Sequence, residues 1–222
     1  AKFLPAGFRH NEQSVRIAER LEKNGKGLNL TRETLDGILK HSAPTSGGVE
    51  TTAWGEPETP EGWVVRYADK IAYLHHDIDD AMRAGIIAEA DLPIEERVAL
   101  GRDRAERLDT MIYDVVVTSY GKAAVTMSAG VLEATNALRT FMFEHVYLSG
   151  PAKTEDEKAQ GLLWELLQFF EKNPERMPSE HQRIAERDGA KRAGADYIAG
   201  MTDRYALDTY TSLFVPMGWG AL

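Results

Sequence analysis

The 222-residue chain contains no cysteine. That excludes disulfides, zinc–thiolate sites and cysteine nucleophiles, and it fits a reducing, cytoplasmic setting, which is the localisation expected. The sequence also lacks any apolar run near the roughly eighteen residues that a membrane span needs, so no membrane partner is expected. Positive charge is in short supply. With 26 Lys and Arg against 35 Asp and Glu the net charge is −9, which argues against a broad nucleic-acid footprint. An anionic small molecule is not excluded, because a metal ion and a few local cations can reverse the field inside one pocket. The opening stretch "AKFLPAGFRHNEQ" has neither an initiating Met nor the apolar core of a signal peptide, and it reads as the interior of a longer polypeptide.

What the chain does have is helical periodicity. "NEQSVRIAERLEKNG" puts Val15, Ala18 and Leu21 on one stripe and stops at "GKGLNL". "TRETLDGILKHS" offers Thr31 as an N-cap, with Leu35, Ile38 and Leu39 as its apolar face. Residues 43–60 are loop by composition, and Thr59-Pro60 then supplies an N-cap followed by proline at the first helical position. Further helices are expected over roughly 94–121, 128–148, 155–173 and 180–214, the last broken near Gly200. "YDVVVTSYG" is rich in β-branched residues, but its upstream spacing is helical, so it too is assigned to helix. The fold class is all-α, read as one helical domain over 1–222 with a division near residue 90.

The helix that opens at Pro60 carries "ADKIAYLHHDIDDAMRAGI", unusually rich in Asp and His, which are poor helix formers. At 100° per residue, Asp69, Tyr73, His76, Asp77 and Asp80 share a face with Lys70 at its edge, while Ile71, Leu74, Ile78 and Met82 lie opposite. A solvated face explains such a pattern by itself. A tyrosine amid short acidic side chains suits a rigid polar site instead.

"DKIAYLHHD" has the form D-K-x-x-Y-x-x-x-D and resembles the last metal-ligand helix of the HD-superfamily deoxynucleoside triphosphate triphosphohydrolases. "GFRHNEQSVRIAERLE", "GLNLTRETLDGILKHS", "LRTFMFEHVY" and "DYIAGMTDRYAL" are similar to further blocks of the bacterial deoxyguanosine triphosphate triphosphohydrolase-like family, in order along nearly the whole chain. The resemblance implies an HD-type helical bundle, with residues 1–90 as the remainder of the catalytic core and 91–222 as a C-terminal helical part. It implies Asp69 as the final carboxylate ligand of a divalent metal, Mg or Mn. Lys70 becomes a phosphate contact, Tyr73 the residue that packs on the sugar, and Asp77 the acceptor for the 3′-hydroxyl. His10 is a candidate for proton transfer near the attacked phosphate, with simple packing as the alternative. Arg204 is a candidate phosphate contact, with a surface arginine as the alternative.

The same resemblance implies a histidine and a His-Asp pair upstream of the first residue, so the metal site and the bundle are expected to be incomplete at the N-terminus and the chain alone inactive. His76-Asp77 is the only His-Asp dipeptide, but assigning it to the metal would leave the D-K-x-x-Y-x-x-x-D match unexplained. His75, His41 and His145 are read as packing or surface residues. The function implied is hydrolysis of deoxynucleoside triphosphates, the substrate partners, to deoxynucleoside and tripolyphosphate. Alternatives are an HD phosphohydrolase acting on another nucleotide and a non-catalytic nucleotide-binding module. A homo-oligomer is expected, with "FMFEHVYL" and "LLWELLQFF" offering apolar faces that an ordinary core explains equally well.

Overall fold

The computed structural model describes residues 3–4, 7–42, 55–148 and 150–216, with backbone alone for 150–152. Among them there is no strand, as expected of an all-α chain. Helix α1 (His10–Arg16) runs into a π-helical turn (Ile17–Leu21) and stops where Lys23 and Asn24 adopt left-handed φ of 52° and 59°. Helix α2 (Arg32–Lys40) starts at Thr31, whose hydroxyl accepts the Thr34 N–H at 3.3 Å. Helix α3 (Pro60–Arg83) starts at Thr59, which accepts the Gly62 N–H at 3.2 Å, with proline at the first position. Residues 43–54 of the expected loop lie outside the described residues, and 55–59 are irregular.

Two glycines divide helices that the periodicity runs together. The stretch expected over 94–121 is α4 (Ile94–Leu100) and α5 (Arg104–Ser119), parted at Gly101 with φ 130°. A Cβ there would lie 2.5 Å from Glu106 Cβ and 2.7 Å from the Arg107 nitrogen, so only glycine lets the chain turn this tightly. "YDVV" and "VTS" are helical throughout, since the inward side of α5 is anchored by Arg107 and Met111. Helix α6 (Ala129–Met142) continues as a π-helical turn (Phe143–Tyr147), and α7 (Gly150–Lys172) follows. The expected 180–214 helix is three: α8 (Ser179–Asp188), α9 (Ala190–Ala199) and α10 (Asp203–Phe214). It breaks near Gly200 as expected, and also at Gly189, where φ is 90°.

The helices enclose two apolar clusters. The first gathers Tyr67, Ile71, Leu74 and Ile78 from α3 with Leu100, Met111, Leu138, Met142 and Val146. The second gathers Leu166 and Phe170 from α7 with Ile184, Ala193, Ile198 and Ala206. Most of the apolar positions in "FMFEHVYL" and "LLWELLQFF" therefore fill cores. Helix α1 is tied to the second cluster by charge. The Arg16 guanidinium donates to Asp188 at 2.5 Å and to Asp196 at 2.7 Å, Gln13 donates to Asp196 at 2.9 Å, and Arg192 reaches Asp196 from one turn away at 2.8 Å.

Candidate functional site

The site is built on α3. Residues four apart stack on one helical face, so Asp69, Tyr73 and Asp77 form a file. On the other side Ile71, Leu74 and Ile78 are all but fully buried. Each such side chain stabilises the fold by about 1.5–3 kcal/mol, so the helix cannot rotate the file away without losing that contribution. His76 and Asp80, placed on the same polar face by the wheel, are exposed, and Asp80 pairs with Arg83 at 2.8 Å. Lys70 differs from the expected edge position. It is only 6% exposed, and its ammonium is held below the usual lysine range by burial first and by Arg139 next.

Helix α6 and its π turn form the facing wall. They bring Arg139, Phe143 and Tyr147, spaced four apart, against Tyr73, where with Leu74 and Met142 they line a hollow of about 20 Å³. The Tyr147 hydroxyl donates to Asp77 Oδ2, and the Tyr73 hydroxyl stands close to both. Burial raises both tyrosines above their ordinary range. It also raises the Asp77 carboxyl, while the two tyrosine hydroxyls pull it the other way. Half-buried Arg139 is lowered by burial, with Tyr147 and Tyr73 acting to raise it. Arg139 and Tyr147 were not singled out in the sequence. Their four-residue spacing with Phe143 was the available signal, within the "LRTFMFEHVY" block.

His10, the first residue of α1, reaches the start of the α3 file. Its ring meets His41 edge-to-face with centroids 5.4 Å apart. Its imidazole lies below the usual histidine range, through partial burial first and His41 next, with Asp69 opposing and Lys70 adding. His41, read from sequence as an ordinary packing or surface residue, therefore stands beside the site, its Nδ1–H donating to the Ile38 carbonyl at 2.6 Å. A cleft of about 420 Å³ opens next to it, walled by Gly37, Ile38, Gly62 and Val65. Asn11 and Gln13 neither cap α1 nor face the site. Asn11 donates to the Leu39 carbonyl at 2.7 Å, and Gln13 joins the Asp196 network.

Other candidates are placed elsewhere. His75 is 2% exposed and donates from Nδ1 to the Ile71 carbonyl at 2.6 Å, a packing role. His145 stacks on Phe141 with centroids 4.3 Å apart. Arg204 stands on α10 with its side chain 93% exposed and 3.9 Å from Asp208, so the structure does not bring it into the α3 wall. The divalent metal that the resemblance implies meets an unclosed donor set. Asp69 offers one hard carboxylate, and among the described residues no group of three or more His, Asp or Glu side chains is arranged to hold an ion.

The chain's similarities bear on this wall directly. Residues 125–212, which include Arg139 and Tyr147, match the model of a phosphohydrolase-associated domain. A deoxyguanosinetriphosphate triphosphohydrolase-like protein of Caldanaerobacter subterraneus subsp. tengcongensis is 49% identical over 98% of this chain and 61% of its own length. A like-named protein of Clostridium perfringens is 44% identical over 96% of this chain and 62% of its own. A third, from Cereibacter sphaeroides, is 32% identical over 93% of this chain and 68% of its own. The chain belongs to the deoxyguanosinetriphosphate triphosphohydrolase-like family. It spans about three fifths of the length of the first two relatives. The family likeness takes in every element of the site, from His10 on α1 to Tyr147. Among the described residues no helix is long and apolar enough to cross a membrane.

Proposed function

We propose that this chain forms the nucleotide-facing wall of a metal-dependent hydrolase that converts deoxynucleoside triphosphates, in the manner of dGTP, to deoxynucleoside and tripolyphosphate. The names of the relatives support the reaction class. The observation that carries the reading is the meeting of α3 with α6: Lys70 and Arg139 concentrate positive charge in a largely buried wall, one turn from the Tyr73–Tyr147–Asp77 cluster. A triphosphate is the anion such cations suit, and a fixed carboxylate is a suitable acceptor for a sugar hydroxyl. In this assignment Lys70 and Arg139 bind phosphate, Asp77 binds the 3′-hydroxyl, and Tyr73 and Tyr147 pack the sugar and hold Asp77 in place. Asp69 is the chain's contribution to a metal site that its own described residues do not complete, and His10 is assigned to proton transfer near the phosphates.

The absence of a closed donor set among the described residues favours, as the second reading, a nucleotide-binding module without catalysis. Tripolyphosphate release from each of the four deoxynucleoside triphosphates, with Mn or Mg, and calorimetric binding of the same nucleotides test the two. Release abolished by Asp69→Asn supports the hydrolase, and no binding of any of the four overturns both. Binding without release is expected of this chain alone under either reading. The same release assay on a chain supplied with the His and His-Asp ligands that the resemblance implies then separates them, release supporting the hydrolase and its absence the module.

A further inference from the structure

The last carbonyls of α2 have no partner inside the helix, and side chains from three places take them up. His41 donates to the Ile38 carbonyl, Asn11 of α1 to that of Leu39, and Arg66 of α3 to that of Lys40 at 3.2 Å. Arg66 Nη1 also reaches the Gly55 carbonyl at 3.2 Å, and the guanidinium lies 5.4 Å from the centre of the Trp63 ring. Arg66 is only 1% exposed, and its Nε and Nη2 have no hydrogen-bond partner among the described residues. Burial holds it below the ordinary arginine range, with Tyr67 and Glu56 opposing from a distance. A buried cation held by carbonyls and an indole, with no carboxylate bonded to it, is costly. Capping does not require that charge, since Asn11 satisfies the neighbouring carbonyl with a neutral amide. One turn along the same face of α3 stands buried Lys70. Its ammonium is pushed down by burial and Arg139, with Arg66 adding to them and Asp69 opposing. The fold thus gathers like charges that water would otherwise keep apart.

We propose that Arg66 is a specificity-determining residue for the phosphate end of the nucleotide, acting through space beside Lys70 without itself touching the anion. Its charge adds to the field that Lys70 and Arg139 present, and in a buried setting that field is weakly screened. A triphosphate, with several negative charges, gains from the added field. An uncharged nucleoside gains nothing. The cost of burying Arg66 is therefore offset only when a highly charged anion is bound, so the residue favours the triphosphate tail and is indifferent to base and sugar. The bonds from Nη1 to the Lys40 and Gly55 carbonyls fix where the charge sits, at the junction of α2 and α3. This role rests on the nucleotide reading of the α3 wall and supplies it with a source of preference for several phosphates over none.

The test is calorimetric binding of dGTP and of deoxyguanosine, without divalent metal, to the wild-type chain, Arg66→Gln and Arg66→Lys. Glutamine keeps an N–H for the Lys40 carbonyl and loses the charge, whereas lysine keeps the charge and loses the planar fork. Arg66→Gln is expected to bind dGTP about tenfold more weakly and deoxyguanosine within about twofold of wild type. Arg66→Lys is expected to stay within about threefold of wild type for both. Circular dichroism and urea unfolding check that each variant is folded. Where Arg66→Gln does not fold, Arg66→Lys decides alone: a retained preference for dGTP supports the proposal and a lost one overturns it. Equal losses for dGTP and deoxyguanosine make Arg66 a structural cap and overturn the proposal. So does an Arg66→Gln chain that keeps the wild-type preference for dGTP, or a wild type that has none, and in both cases the nucleotide reading stands. A wild type that binds neither ligand removes that reading, and the proposal with it.

Discussion

At the scale of single residues, Asp77 is where stability and recognition pull apart. Its carboxyl is raised by burial, so the ionised form that would accept a sugar hydroxyl is the form the fold disfavours. The native state holds the proton to higher pH than the unfolded chain does. The contribution of this group is therefore most favourable at acid pH and declines as pH rises from the ordinary carboxylate range through its raised value. Asp77→Asn is expected to leave the urea midpoint at neutral pH unchanged or higher, while deoxynucleotide binding weakens by about 1.5–3 kcal/mol, tenfold or more in Kd. Chemical denaturation and calorimetry on the same variant check both halves. Tyr147→Phe removes one donor to Asp77 and is expected to weaken binding in the same direction but less. Asp69, Tyr73 and Asp77 were legible in the sequence because they lie on one helix, where spacing alone sets who stands beside whom. Arg139, Tyr147 and His41 were not, because their proximity to α3 depends on how separate helices pack. The burial of Lys70 was missed for the same reason: a helical wheel has no knowledge of the wall placed against it.

At the scale of elements, the starts of helices were readable and some of their ends were not. Thr31 and Thr59 cap as their chemistry dictates, since a hydroxyl beside free N–H groups is a local matter. Gly101 and Gly189 interrupt patterns whose apolar spacing continues on both sides, so periodicity passes over them. Gly101→Ala is expected to destabilise by more than about 1 kcal/mol, because the positive φ and the backbone of Arg107 both resist a methyl group; thermal unfolding checks it. The junction of α1 with α9 is the other element-scale dependence. Asp196 has no exposed side-chain surface and depends on Arg16 and Arg192 for compensation. Arg16→Met is expected to cost about 3 kcal/mol or more, the loss seen when one partner of a buried pair is removed. It should also loosen His10, six residues earlier on the same helix. Asp188, held well below the ordinary carboxylate range by Arg187 and then Arg16, adds stability that is present above that range and lost as pH falls through its depressed value.

At the scale of the whole molecule, three histidines on different elements, His10, His75 and His181, are all lowered, with burial the first cause in each. The unfolded chain takes up protons near pH 6.5 that the fold refuses, so stability rises with pH across and just below that point. Urea midpoints are expected to be lower at pH 5.5 than at pH 7.5, and His75→Leu should flatten that slope, which denaturation at the two pH values checks. The all-α class and the order of the family blocks were open to reading in the sequence, but the division into two clusters was not. The second cluster recruits Leu21 across the length of the chain, and apolar spacing does not say which helices share a core. That long reach governs when the protein can be finished. Arg16 and Asp196 are 180 residues apart in sequence. At roughly 5–20 residues per second, the ribosome delivers the partner about ten to forty seconds after the first helix. For that interval His10 sits on a helix without its clamp to α9, so the His10 edge of the site is fixed among the last events of synthesis rather than the first.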